Sequence, residues 1–178
     1  KGDKSLSKRD FLRVIKPLEK FGAKFESNFG KLPIKVHGTN YSKPIKFYEN
    51  KGSAQCKSAV MFAALNTQGE TIIKAKKSRD HSELLFKHLK LPIKVIKRKY
   101  YDIIKVKGKH KIPALNYKIP SDISSAAFFI VLTALVKNSS LKIRNVNINP
   151  SRMGIFYILR LMGVKITKIN IRNYKGEK

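Results

Sequence analysis

Three stretches of this 178-residue chain follow one pattern, and that repetition limits what it can fold into. "SKRDFLRVIKPLEKFGAKF", "KSRDHSELLFKHLKLPIKV" and "PSRMGIFYILRLMGVKI" each open on an arginine, run through an apolar stripe at helical spacing and end in a breaker, a hydrophobe, a lysine and a hydrophobe. Arg9, Arg79 and Arg152 recur at intervals of about seventy residues, as do the terminal Lys24, Lys94 and Lys165. A second helix type precedes the last two copies, in "GSAQCKSAVMFAAL" and "DISSAAFFIVLTAL". Each is followed by a segment reading as a strand, "GETIIKA" and "SLKIRNVNI", and further strands read in "IKVIKR" and "YDIIKVKG". The unit is therefore strand, buried helix, strand, surface helix and strands, an α/β architecture of several short sheets.

Composition sharpens this. A hydrophobic content of 42% supplies a real core. The longest apolar run, "AAFFIVLTALV" at Ala126–Val136, falls short of a membrane span and reads as a buried helix. The chain begins with Lys rather than Met and carries no signal-peptide pattern, so it reads as a piece of something longer. One cysteine, Cys56, excludes an intrachain disulfide and a cysteine-rich zinc site, and reads as a small buried thiol. The four histidines show no metal-ligand spacing.

A formal net charge of +28 points on its face to nucleic acid. The basic residues are overwhelmingly lysine, however, and they alternate with Ile and Val as solvent-facing strand positions do. Arginine, the better reader of phosphate forks and base edges, is scarce. Two helix starts are better candidates for anion binding. Ser53, Ala54 and Gln55 follow Gly52 at the start of a helix, where free N–H groups and the positive dipole end favour an anion; Ser53 as a plain N-cap is the alternative. Arg9 and Arg79 sit at helix starts, which are unfavourable for a cation unless it serves a negative partner.

These residues carry a family resemblance. "GSAQCKSAVMFAALNTQGETII", "KKSRDHSELL" and "IPSDISSAAFFIVLTALV" with the following "NPSR" resemble the enolpyruvyl transferases, and within them the 5-enolpyruvylshikimate-3-phosphate (EPSP) synthases, across essentially the whole chain. The related UDP-N-acetylglucosamine enolpyruvyl transferases share the repeats, but their active-site loop cysteine has no counterpart here.

The resemblance implies two globular domains of three βαβαββ units each, the inside-out α/β fold, present here incompletely. Residues 1–119 would be the last two units of one domain, and residues 120–178 the first unit of the second after the crossover. It implies transfer of the enolpyruvyl group of phosphoenolpyruvate to the 5-hydroxyl of shikimate 3-phosphate, with release of phosphate, as part of aromatic amino-acid biosynthesis. Ser53, Ala54, Gln55, Ser78 and Arg79 would bind shikimate 3-phosphate, and Arg9 and Gln55 phosphoenolpyruvate. It implies no cofactor or metal, no nucleic-acid or membrane partner, a monomer at full length and a cytoplasmic location. The acid, base and lysine groups of catalysis would lie outside these residues, so the chain alone is expected to show no turnover. The other readings are a basic nucleic-acid-binding module and a non-catalytic repeat scaffold.

Departures from the pattern are local. Asp10-Phe11 stands where the family has Pro-Met, placing an acid beside Arg9, which would either weaken anion binding or serve the helix N-terminus. Ser121 replaces a turn glycine. Arg152 matches the repeat position without a family role and reads as structural. The opening "KGDKSLSKRDF" also matches the family's N-terminal phosphate loop, in which Lys4, Ser5 and Arg9 would grip shikimate 3-phosphate. Its continuation falls in register with Arg79 and Arg152, which assigns it to an internal unit and leaves Lys4 and Ser5 as loop and cap.

Overall fold

The computed structural model describes residues 3–177, so Lys1 and Gly2 of the opening stretch lie outside the described residues. The chain forms two compact units, one ending at Ile112 and the other opening at Pro113. In the first, a four-residue helix α1 (Lys4–Ser7) is capped by Asp3, whose carboxylate accepts the Leu6 N–H at 2.7 Å. Lys4 and Ser5 therefore sit within a helical turn, and Asp3 supplies the cap expected of them. Helix α2 (Leu12–Glu19) and the antiparallel hairpin β1 (Lys24–Asn28) and β2 (Lys31–His37) follow.

A complete βαβαββ unit comes next: β3 (Lys46–Glu49), α3 (Ala54–Leu65), β4 (Glu70–Lys76), α4 (His81–His88), β5 (Ile93–Lys97) and β6 (Tyr101–Lys107). The sheet runs β3-β4-β6-β5, with β3 parallel to β4 and the other pairs antiparallel. Alternation in "ETIIKAK" sends Thr71, Ile73 and Ala75 to the buried face while Glu70, Lys74 and Lys76 face solvent, which accounts for the interleaved lysines. Val60, Met61 and Leu65 of α3 pack there with Phe86 of α4 and with Ile104 and Val106 of β6. Gly108 is required by contact, because a Cβ there would lie 1.9 Å from the Thr67 carbonyl oxygen and 2.2 Å from that of Ala64. The end of β6 can thus lie against the end of α3, where the Lys109 N–H donates to the Leu65 carbonyl.

The second unit contains α5 (Ile123–Leu135), a 3-10 turn (Pro150–Arg152) and α6 (Gly154–Leu161). Two expectations are corrected here. "SLKIRNVNI" forms no strand; the region makes one parallel bridge, Ser121 with Val146, because an alternating segment becomes a strand only where a partner completes its ladder. Helix α5 is not a buried helix: Ile123 and Ala126 are covered, but Phe128 and Leu135 are each 79% exposed. Hydrophobicity states that a helix needs a cover, and does not supply one. Among the described residues no helix is long and apolar enough to cross a membrane.

Candidate functional site

The first unit holds a cleft of about 470 Å³ at the start of α3. Its floor is organised by Glu49, a buried carboxylate at the end of β3. One oxygen accepts the Lys51 N–H at 3.0 Å and the other the Gly52 N–H at 2.8 Å. This pair fixes the turn into α3, and Gly52 takes it at φ +71°, a left-handed conformation that costs glycine little. Ser53 then caps the helix, its Oγ accepting the Cys56 N–H at 3.2 Å. Capping uses only the acceptor side of the hydroxyl, so its proton stays available to an anion. Ser53, Ala54 and Gln55 are thereby delivered to the cleft at the positive end of α3.

The facing wall is the turn between β4 and α4, which carries Arg79 into the cleft lining. It is held from below by Lys57, one turn into α3. The ammonium, in a side chain only 3% exposed, donates to the Arg79 carbonyl at 2.7 Å and pairs with Glu83 Oε1 at 2.6 Å. The hydroxyls of Ser58 and Ser82 meet at 2.6 Å and add a second tie between α3 and α4. Glu83 Oε2 and Ser78 Oγ are inaccessible and without a protein hydrogen-bond partner.

Helix α2 forms the third wall through Leu12, Arg13, Lys16 and Pro17. Pro17 has no N–H, so the Arg13 carbonyl lacks its usual helical donor. The Cys56 thiol supplies one, with sulfur 3.0 Å from that oxygen. Burial pushes the Cys56 thiol above its ordinary pKa, Glu49 adds to the rise and Arg13 opposes it, so the group stays protonated and inert as a nucleophile. The Arg13 guanidinium donates to Gln55 Oε1 at 3.1 Å. Four cations, Arg13, Lys16, Lys51 and Arg79, therefore line a cleft whose one acid, Glu49, is engaged by backbone donors. Such a lining makes the local potential positive.

Of the residues anticipated from sequence, Ser53, Ala54, Gln55 and Arg79 meet on this cleft. Ser78 precedes Arg79 in the chain but is not part of the lining, and Arg9 lies exposed between α1 and α2, also outside it. Asp10 turns to the helix, its carboxylate accepting the Leu12 N–H at 2.7 Å. Arg152 donates to Asp122 at 2.9 Å and to the Ser124 hydroxyl, fastening the 3-10 turn to the start of α5. Sequence reading missed Arg13, Glu49, Lys57 and Glu83. Arg13 had a signal in its position one helical turn beyond Arg9; a buried Lys57–Glu83 pair had none beyond the charge of each residue.

Comparison with known proteins bears on the family and the fold. Residues 1–177 match the family model of EPSP synthase (3-phosphoshikimate 1-carboxyvinyltransferase). The chain is 44% identical over 177 residues to the 3-phosphoshikimate 1-carboxyvinyltransferase of Endomicrobium trichonymphae, covering 99% of this chain and 40% of that protein. It is 44% identical over 181 residues to that of Caldicellulosiruptor bescii, covering 99% and 41%. The solved EPSP synthase of Acinetobacter baumannii superposes with a TM-score of 0.79 at 36% identity, covering 99% of this chain and 39% of that one. The chain thus spans about 40% of the length of these relatives, and by sequence and by fold alike it belongs to the EPSP synthase family.

Proposed function

We propose that this chain serves a 3-phosphoshikimate 1-carboxyvinyltransferase, contributing the wall that holds shikimate 3-phosphate while enolpyruvyl passes from phosphoenolpyruvate to its 5-hydroxyl and phosphate leaves. The observation that carries this reading is the convergence of Ser53, Ala54, Gln55 and Arg79 on one cation-lined cleft at a helix N-terminus. In it the Arg79 guanidinium and the N–H groups opening α3 take the substrate phosphate, and the Ser53 hydroxyl and Gln55 amide donate to the remaining oxygens. Ser78, beside Arg79 in the chain, belongs to the same shikimate 3-phosphate-binding segment. Arg9 and Gln55 serve phosphoenolpyruvate. Fixing two anionic substrates in one orientation is the larger part of what such an addition–elimination needs from a protein.

In the same reading residues 1–119 are the last two units of one domain, and residues 120–178 open the second domain. The full-length enzyme works as a cytoplasmic monomer on these two small molecules, without nucleic acid, membrane, cofactor or metal. Calorimetric titration of the chain with shikimate 3-phosphate tests the cleft. Arg79→Ala is expected to weaken binding at least about tenfold, the scale of one lost charge-assisted hydrogen bond. Equal affinity in Arg79→Ala and Gln55→Ala would remove the assignment. Phosphate release by the chain alone would contradict the absence of the catalytic acid and base.

A further inference from the structure

Gln55 faces the cleft with an amide that could present either its oxygen or its nitrogen, and the two have opposite consequences for an anion. A carbonyl oxygen repels phosphate or carboxylate; the NH2 group donates to it. The structure settles this through Arg13. A guanidinium carries donors and no acceptor, so the Gln55 atom 3.1 Å from Arg13 must be the oxygen. That leaves the Gln55 N–H donors as the group it offers to the cleft that both residues line.

The Arg13 backbone is held in place for this task. Its carbonyl, deprived of a helical donor by Pro17, is bonded by the Cys56 thiol from the residue next to Gln55. Helices α2 and α3 are thus tied at Arg13 twice, once through main chain and once through side chain. A side-chain bond alone would let the long Arg13 stem wander; the second tie fixes where it starts.

We infer that Arg13 is a positioning residue, one that orients the Gln55 amide as a donor toward the bound anion and acts through Gln55. The inference rests on the proposed shikimate 3-phosphate cleft and adds to it a residue outside the set anticipated from sequence. Arg13 is solvent-exposed, so its replacement leaves the core intact.

The test is a double-mutant cycle on the full 178-residue chain, titrated with shikimate 3-phosphate. Arg13→Met is expected to weaken binding about tenfold, and Arg13→Lys, which keeps a donor and the charge, to recover most of that. In a Gln55→Ala background Arg13→Met should add less than about a twofold change, because a residue acting through Gln55 loses its effect with Gln55. A full tenfold loss in that background overturns the inference, since Arg13 would then act on the ligand or the fold directly. Binding indifferent to both Arg79→Ala and Gln55→Ala, or no binding at all, defeats the cleft assignment instead. In the ligand-free chain, the Gln55 side-chain NH2 resonances should move to free-glutamine positions in Arg13→Met; unmoved resonances overturn the inference whatever the titrations give.

Discussion

The second unit is the more apolar by sequence, yet it buries far less of what it has than the first. The first closes a βαβαββ unit on itself: α3 and α4 cover one face of a four-stranded sheet, and Phe86, Met61 and Ile73 are sealed. The second has α5, the most apolar helix in the chain by sequence, and leaves Phe128, Phe129, Leu132 and Leu135 in solvent. What differs is the sheet. Among the described residues the second unit has no multi-residue strand for its helices to cover, so its hydrophobes find only Ile123, Ala126 and Leu159 to bury. An apolar helix contributes stability only against a surface that accepts it.

The sharpest way to break this contrast is a matched pair of phenylalanine truncations. Phe86→Ala should cost about 3–5 kcal/mol in denaturant unfolding of the first unit. Phe128→Ala should stay within about 0.5 kcal/mol. Comparable losses would mean that α5 is covered in solution. Lys57→Met leaves Glu83 buried without its cation and should also destabilise by about 3–5 kcal/mol. The double variant Lys57→Met/Glu83→Leu should recover most of that, and failure to recover would show that the Arg79 carbonyl bond, not the charge pair, carries the effect.

A smaller effect is expected at Asp122, which caps α5 through the Ser124 N–H at 2.9 Å; replacement by Ala should cost about 0.5–2 kcal/mol of the second unit's stability. The smallest concerns pH. The Asp122 carboxyl lies below its usual value of 3.8, chiefly through that backbone bond; burial opposes the shift, and Arg152 adds to it. Its contribution is therefore complete above the unfolded carboxylate range and disappears as pH falls through the lowered folded value. A carboxyl titration followed by NMR should place the midpoint under 3.8, and a midpoint at or above it would remove the Arg152 and Ser124 contacts as causes.

Much of the fold was legible because period and pattern agree. The strands of "ETIIKAK" and "YDIIKVK" and the helix of "AQCKSAVMFAAL" form where alternation and small-residue periodicity place them. "SLKIRNVNI" misled because alternation describes a strand's faces and is silent about its neighbour. At the site, Ser53, Gln55 and Arg79 were visible as helix-start chemistry. Arg13 had only its spacing from Arg9 to mark it, and Lys57 was hidden by abundance, since one cation among 39 basic residues carries no signal until the fold shows where it points.

The repeated arginines lead to a different conclusion from the one their alignment invites. Arg79 gives its main-chain oxygen to Lys57 and keeps its side chain for the cleft, whereas Arg152 is clasped by Asp122. Beside Arg9, Asp10 has turned to the Leu12 amide. The neighbours decide the difference, leaving Arg79 turned to a cleft and Arg152 fastening two elements. The same arginine recurs along the chain, and the company it keeps sets what each copy touches.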